Sequence, residues 1–218
     1  MLQIIFEILH DYYGEQNWWP ANDPFEIVVG SILTQNTNWR NVEKSIDTLK
    51  KADVLFPDEI MQLTDDQLQN LIYSSGFYKV KSKRLKSVCR LLVNEFDGSV
   101  EKMQSYDLSE LRQLLLDTNG IGPETADDIL LYAVGKPVFI IDTYTKRIFS
   151  RVGIGPSGDQ YSDWQEFIMS NISENVDAYG EFHAHIVALA KERCKVKPIC
   201  VGCPIFAYCS YARRESST

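Results

Sequence analysis

Four cysteines near the end of the chain have the spacing of a metal site. Thiolates this close in sequence can converge on a soft or borderline metal. Zinc ribbons usually carry two C-x2-C knuckles, whereas this segment has one knuckle with two longer arms, which favours a [4Fe–4S] cluster and leaves zinc open. The pattern is C-x5-C-x2-C-x5-C, formed by Cys194, Cys200, Cys203 and Cys209.

The segment LDTNGIGPETA, residues 116–126, is typical of a tight turn between two helices. Gly120 and Gly122 tolerate backbone conformations and close approaches that other residues do not. The helix that Pro123 begins would present free amide groups and its positive dipole end, which can hold a phosphate. Ile121, between the two glycines, is expected to anchor the hairpin in its own core.

Asp142 follows the apolar run VFII and precedes another helical stretch. An aspartate at that point is expected to cap the helix. Capping favours the ionised carboxylate, because amide hydrogen bonds stabilise its charge. A fixed anion near a phosphate-binding hairpin would be suited to stabilise positive charge that develops on a sugar.

The elements that position these groups are helices. Apolar residues recur at helical spacing through most of the chain, and strand alternation is nearly absent. Asp23-Pro24 predicts a helix start, Thr64 predicts a capping box, and a long helix is expected from about Lys79 to Phe96. The apolar run 138–141 is too short to predict a strand. The sequence therefore predicts an all-α fold.

Composition is ordinary for a globular protein of 218 residues, with 44% apolar and 24% charged side chains. No apolar run approaches the roughly 20 residues that span a bilayer, and the start lacks the features of a signal peptide, so a cytoplasmic protein is expected. The net charge of −8 alone argues against nucleic-acid binding. However, residues 79–90 hold six basic side chains and no acid. Lys79, Lys81 and Lys83 are therefore candidate phosphate contacts.

Together, the hairpin, Asp142 and the cysteine segment resemble the endonuclease III (helix-hairpin-helix, Gly-Pro-Asp) superfamily of DNA base-excision glycosylases. The segments TQNT (34–37), SGFYKVKSKRL (75–85) and GEFHAHIVALAKERC (180–194) also resemble family segments. The resemblance covers essentially the whole chain.

The resemblance implies two helical domains that flank a DNA-binding cleft. Residues 17–135 would form a six-helix domain with the helix-hairpin-helix motif. Residues 1–16 and 136–218 would form a second domain, with the catalytic aspartate and the C-terminal four-cysteine loop. The family loop, C-x6-C-x2-C-x5-C, carries [4Fe–4S], and the first arm here is one residue shorter.

The resemblance also implies roles for individual residues. Asp142 matches the catalytic carboxylate. Gln35 matches the residue that fills the gap left by a flipped base, and Phe77 lies in the loop that wedges the duplex. The hairpin would bind the backbone beside the lesion, together with a monovalent cation, K⁺ or Na⁺. The expected partner is double-stranded DNA with damaged bases, bound by a monomer associated with the nucleoid. The hairpin contacts would be Gly120, Ile121, Gly122 and Thr125.

One departure from the family pattern bears on the chemistry. Bifunctional members place a nucleophilic lysine in the second helix of the hairpin motif, and this chain has Glu124 at the matching position. A carboxylate cannot form an imine with C1′, so the sequence predicts a monofunctional hydrolase.

The aromatic residues near the start of the chain suggest the substrate. Trp18, Trp19 and Trp39, with Glu124, resemble the base pocket of the 3-methyladenine glycosylase subgroup. Electron-rich rings favour cationic bases, and N-alkylated purines are cationic with weakened glycosidic bonds. Two alternatives stay open: a bifunctional glycosylase and lyase for oxidised pyrimidines, and a non-catalytic iron–sulfur protein that binds lesions.

Overall fold

The computed structural model describes residues 1–21, 23–173 and 175–215, and the prediction of an all-α fold is confirmed. No strand occurs among those residues. Short 3₁₀-helices occur at Tyr73–Ser75, Glu101–Ser105 and Phe206–Tyr208. The α-helices are α1 (Leu2–Tyr13), α2 (Pro24–Leu33), α3 (Trp39–Lys51), α4 (Pro57–Gln62), α5 (Asp65–Leu71), α6 (Tyr78–Phe96), α7 (Leu108–Asp117), α8 (Pro123–Asp128), α9 (Thr143–Val152), α10 (Tyr161–Met169), α11 (Val176–Glu192) and α12 (Ser210–Glu215).

The chain forms two compact units. The central unit is Trp19–Lys136 and contains α2 to α8. The terminal unit combines Met1–Trp18 with Pro137–Thr218 and contains α1 and α9 to α12.

The central unit is built around α2, which is buried from Phe25 to Leu33. A helix that is apolar on all sides needs cover on all sides, and α3, α6 and the segment after α8 provide it. The predicted starts are confirmed: the Asp23 side chain accepts a hydrogen bond from the Phe25 amide at 2.7 Å, and Thr64 forms a capping box. The helix predicted from Pro123 does begin there, but it continues beyond α8 as a π-helix, Ile129–Val134.

The terminal unit places α1 against α11, where the rings of Phe6 and Phe182 lie 5.1 Å apart. The run 138–141 is buried and forms no strand ladder, as the sequence predicts. Two of its backbone groups are bound by side chains of α10 instead: Gln165 donates to the Phe139 carbonyl at 2.7 Å, and the Ile141 amide donates to the hydroxyl of Tyr161 at 3.2 Å. This extended run leads directly into α9.

The turn after α1 is closed by side chains from α11. His185 Nε2 lies 2.8 Å from the carbonyl oxygen of Gly14, and the Glu181 carboxylate accepts from the amides of Gln16 at 2.8 Å and Asn17 at 3.0 Å. With His10, these side chains form a cluster of potential metal ligands within 4.8 Å of one another. Because the turn already uses these donors and acceptors, the cluster has a structural explanation.

The helices of the described ranges include none with both the length and the apolar character that a membrane crossing requires.

Candidate functional site

Asp142 is the N-cap residue of α9, and that helix holds its carboxylate. Oδ1 accepts hydrogen bonds from the backbone amide and the hydroxyl of Thr145, both at 2.7 Å. Only 12% of the side chain is exposed. Free amide groups at a helix N-terminus favour a negative charge. The contacts that begin α9 therefore also fix a carboxylate in its ionised form.

His183 of α11 lies beside the second oxygen of this carboxylate, with Nε2 3.8 Å from Oδ2. Burial alone would raise the pKa of Asp142, but the His183 imidazole and the amide and hydroxyl of Thr145 outweigh burial and lower this pKa below its ordinary value. Sequence reasoning missed His183, although it lies in the segment 180–194 that resembles the family. The contact depends on how α11 packs on α9, which no single helical pattern specifies.

The predicted hairpin joins α7 to α8 in the central unit. Gly120 has φ +90°, a conformation that favours glycine, and Gly122 caps α8. A Cβ at position 120 would lie 2.1 Å from Cγ of Arg84, so packing also demands glycine there. Ile121 is buried, whereas a Cβ at position 122 would meet no atom within 4 Å. One side of the hairpin is thus anchored and the other is open.

Gln35, predicted to fill the gap left by a flipped base, is held against this hairpin. Its Nε2 donates to the carbonyl of Gly120 at 3.2 Å and to the hydroxyl of Thr125 at 3.0 Å, while Arg84 donates to Oε1. The DNA contact predicted for Thr125 is wrong for its side chain, because the side chain is buried and its hydroxyl already accepts a hydrogen bond from Gln35. Sequence reasoning missed Arg84 as the support of both Gln35 and Gly120.

Phe77, the predicted wedge, is exposed and conformationally strained. It caps α6 with φ +46° and ψ 26°, in the left-handed region that a bulky side chain rarely adopts. Its side chain is 68% exposed. Asn36, next to Gln35, is also left-handed, with φ +54°. Strain of this kind persists only where the surrounding structure enforces it, and it concentrates at functional sites.

The three lysines predicted to contact phosphate differ in their surroundings. Lys79 and Lys83 are exposed and lie one turn apart on α6. Lys81 is buried, and its ammonium donates to the carbonyl oxygens of Leu33 at 2.8 Å and Ser75 at 2.7 Å. The prediction for Lys81 is therefore wrong. Two residues along a helix correspond to about 200°, which turns Lys81 away from its neighbours and into the core.

Trp19 and Trp39 lie together in the central unit. Their rings meet edge to face with centroids 5.0 Å apart, and the ring of Tyr132 lies 5.9 Å from that of Trp19. Trp19 packs directly on the backbone of α2, because a Cβ at Gly30 would lie 2.6 Å from one of its ring carbons. The structure thus brings two of the predicted base-pocket residues into one aromatic cluster.

Two further residues are predicted for the base pocket. Trp18 belongs to the terminal unit, where the ammonium of Lys191 lies 5.9 Å from its ring centroid. Glu124 is exposed in the first turn of α8. Their roles in a base pocket stay predictions.

The four cysteines of the C-terminal segment line one small pocket in the terminal unit. Two arginines of α9 reach the first of them: Arg151 Nη1 lies 3.2 Å from the sulfur of Cys194, and Arg147 Nε donates to its carbonyl at 3.0 Å. Burial, with the neighbouring cysteines, raises the pKa of Cys203 to about 11. A thiolate at this position therefore requires a bound cation at neutral pH.

The donor set of this pocket suits a soft or borderline metal. Four thiol groups line it, and thiolates bind both zinc and the iron of a [4Fe–4S] cluster. The residues present therefore fit a four-thiolate metal group.

The chain is similar to a family of known proteins. The family model of the HhH-GPD superfamily of base excision DNA repair proteins matches residues 29–174, which include the hairpin and Asp142. A Methanocaldococcus jannaschii protein, provisionally named a DNA repair glycosylase, is 45% identical over 211 residues, 96% of each chain. Endonuclease III of Thermotoga maritima is 28% identical over 88% of this chain and 85% of its own.

Two solved structures are also similar. H. pylori 3-methyladenine DNA glycosylase (MagIII), bound to 1,N6-ethenoadenine, aligns with a TM-score of 0.77 and 29% identity, over 88% of this chain and 97% of its own. An endonuclease III in a non-covalent DNA complex aligns over 100% of this chain and 99% of its own, with a TM-score of 0.84 and 20% identity. The latter likeness is one of fold.

Proposed function

The chain belongs to the HhH-GPD superfamily of base excision DNA repair proteins, and on that basis we propose that it is a monofunctional DNA glycosylase for alkylated purines. Its reaction is hydrolysis of the N-glycosidic bond of a 3-methyladenine-like base flipped out of duplex DNA. The observation that carries the proposal is Asp142, a buried carboxylate held ionised at the start of α9. Such an anion is the group that an oxocarbenium-like sugar requires.

Asp142 has two tasks in this reaction. Its charge stabilises the positive sugar as the bond to the base breaks, and one oxygen orients or deprotonates the attacking water. Thr145 binds Oδ1, so Oδ2 would be the oxygen that acts on the water. His183, 3.8 Å from Oδ2, helps to keep the carboxylate charged.

The surroundings of two lysines, and the residue at position 124, support hydrolysis without strand cleavage. Glu124 occupies the position of the family's nucleophilic lysine. The ammonium of Lys136 donates to the carbonyls of Gln104 and Tyr106, and that of Lys146 is held by Asp159. Neither lysine is therefore a ready substitute for the missing nucleophile.

The aromatic cluster supports the substrate class. A flipped base gains roughly 1–3 kcal/mol from stacking on an aromatic ring. Trp19 and Trp39, with Tyr132 beside them, offer electron-rich surfaces that favour a cationic purine. The similar H. pylori enzyme is a 3-methyladenine DNA glycosylase, which supports the same class here.

Several groups of the central unit would hold damaged double-stranded DNA. The hairpin at Gly120 and Gly122 would bind the backbone, with a K⁺ or Na⁺ ion, through its open side. Phe77 would wedge the duplex and Gln35 would fill the gap. We propose that the protein acts as a monomer, in the cytoplasm at the nucleoid. The phosphate contacts on α6 would be Lys79 and Lys83.

The four cysteines would hold a [4Fe–4S] cluster, in keeping with their spacing. Bound there, the cluster supplies four cross-links that fix the C-terminal segment. Arg151 and Arg147 would offset part of its negative charge. Purified protein is expected to be brown, with visible iron–sulfur absorption, whereas colourless protein with stoichiometric zinc would contradict this assignment.

A panel of lesion duplexes tests the function. Duplexes with 3-methyladenine, 7-methylguanine, hypoxanthine, 1,N6-ethenoadenine or thymine glycol are incubated with the wild type and Asp142→Asn, and released bases are identified by mass spectrometry. We expect wild type to release alkylated purines and D142N to bind without release. Release of thymine glycol alone would favour the oxidised-pyrimidine enzyme. Binding without any release by wild type would favour a lesion-binding protein.

A further inference from the structure

The buried Lys81 has no part in the proposed chemistry, yet it makes unusual contacts. Its side chain is 1% exposed, and its ammonium donates to two backbone carbonyls, of Leu33 and Ser75. Burial and the charge of Arg84 lower its pKa to about 8. Burying an ammonium is costly unless its contacts compensate. A core position that needed only volume would be filled better by leucine or methionine.

The two carbonyls belong to segments that carry the proposed DNA probes. Leu33 ends α2, two residues before Gln35, and Ser75 ends a 3₁₀-helix, two residues before Phe77. Carbonyls at helix ends lack partners within the helix, so an ammonium satisfies them well. One side chain thus links two segments that are distant in the sequence, and each bound carbonyl lies two residues before a proposed probe.

Both segments contain a left-handed residue, and one of them is strained. Asn36 and Phe77 have positive φ. Asparagine tolerates this conformation, but a phenylalanine holds it only where the surrounding structure enforces it. Arg84, one turn beyond Lys81 on α6, donates to Gln35. The same face of α6 therefore contacts Gln35 through Arg84 and the backbone of both segments through Lys81.

We propose that Lys81 is a positioning residue for base extrusion, which sets the spacing between Gln35 and Phe77 so that both enter the duplex together. It touches neither the substrate nor the reacting atoms. This inference rests on the proposed function, because it assumes that the two probes act on DNA.

The test uses a duplex with a tetrahydrofuran abasic analogue and 2-aminopurine opposite it, so that insertion is measured without knowledge of the excised base. Insertion unstacks the 2-aminopurine and raises its fluorescence in a stopped-flow experiment. Lys81→Met is expected to slow this rise roughly 10- to 100-fold, because small misplacements have effects of this size. Lys136→Met is the matched control, since Lys136 also donates to two backbone carbonyls, at 3.0 and 2.7 Å. We expect the control to match wild type.

A double-variant cycle separates positioning from general destabilisation. If Lys81 acts through the probes, the double variant Phe77→Ala/Lys81→Met should slow the fluorescence rise by a smaller factor than the product of the two single-variant factors. A double variant slowed by the full product of the two factors would overturn the inference. A K81M rate equal to that of K136M would overturn it as well. Should K81M fail to fold, Lys81→Gln, which keeps an NH₂ donor without the charge, enters the same cycle.

The two proposals fail in different ways. A wild type that produces no fluorescence rise contradicts the DNA-distorting function and with it this inference. A wild type that inserts normally, with K81M equal to K136M, contradicts only the role of Lys81.

Discussion

The region around Asp142 and the region around Phe77 are held in opposite ways. Asp142 caps α9 with extended backbone, φ −96° and ψ 177°, and is buried and hydrogen bonded. Phe77 caps α6 from the left-handed region and is exposed. The proposed chemical group is thus preorganised without backbone strain, whereas the proposed DNA wedge is kept in a strained, solvent-facing state. Rigidity suits charge stabilisation, and an exposed wedge suits insertion into a duplex.

The largest expected effect is that of Asp142→Asn, which removes the charge and keeps a side chain able to cap α9. The single-turnover rate of base release should fall by at least about 100-fold, while the melting temperature changes little. Asp107→Asn is the control, because Asp107 also caps a helix but is exposed. A D142N rate equal to wild type would remove this carboxylate from the mechanism.

A smaller loss is expected at Phe77, where rate and stability should separate. Phe77→Ala and Phe77→Gly should each slow base release about tenfold, in line with the loss of roughly 1–3 kcal/mol of stacking. Because φ is positive, F77G should be more stable than F77A, by about 1 kcal/mol in urea unfolding.

Phe56 provides the matched comparison. It is another exposed phenylalanine at a helix N-cap, but its backbone is extended, with φ −139°. The preference for glycine over alanine at an N-cap acts at both positions, whereas relief of a positive φ acts only at position 77. F56G should therefore gain less stability over F56A than F77G gains over F77A, and neither variant at position 56 should slow base release. An equal gain from glycine at both positions would contradict the role of strain.

The exposed lysines of α6 should affect binding rather than chemistry. Replacing Lys79 and Lys83 by alanine should reduce the slope of log K against log salt by about 0.9 for each phosphate that is no longer neutralised. Lys51→Ala, an exposed lysine at the end of α3, should leave the slope unchanged. An unchanged slope in the double variant would mean that this face of α6 does not meet phosphate.

The smallest expected effect is the pH dependence of stability at Asp142. Its folded pKa lies below the ordinary value of 3.8, so the ionised carboxylate stabilises the fold above that pH. This contribution should be lost as the pH falls from about 3.8 through the lower folded pKa. The difference in unfolding free energy between wild type and D142N should shrink in that window and stay constant from pH 5 to 7. A difference that shrinks already near pH 6 would contradict a lowered pKa.

Local signals in the sequence account for much of the fold. Caps such as Asp23 and Thr64 act on amide groups two or three residues away, so their helices begin where the sequence predicts. The absence of a strand at 138–141 follows from its length in the same way. The π-helix after Asp128 has no such local signal and was not predicted.

The contacts of the candidate site were harder to predict, because they join distant segments. His183 and Asp142 belong to different helices that are far apart in the sequence, and their approach depends on how those helices pack. Lys81 did leave a signal: it falls on the apolar stripe of Leu85, Val88 and Leu92, four, seven and eleven residues later. Its positive charge suggested a phosphate contact, but the helical period places it in the core.

The most direct test is the fate of the DNA strand when the base is released. A 5′-labelled duplex with the excised lesion is sampled during a single turnover, with and without borohydride. Monofunctional hydrolysis predicts that free base appears at the same rate as an intact abasic strand, which breaks only in hot alkali, and that no adduct is trapped. Strand breaks that keep pace with base release, or a strong covalent adduct, would show that an amine attacks the sugar and would contradict monofunctional hydrolysis.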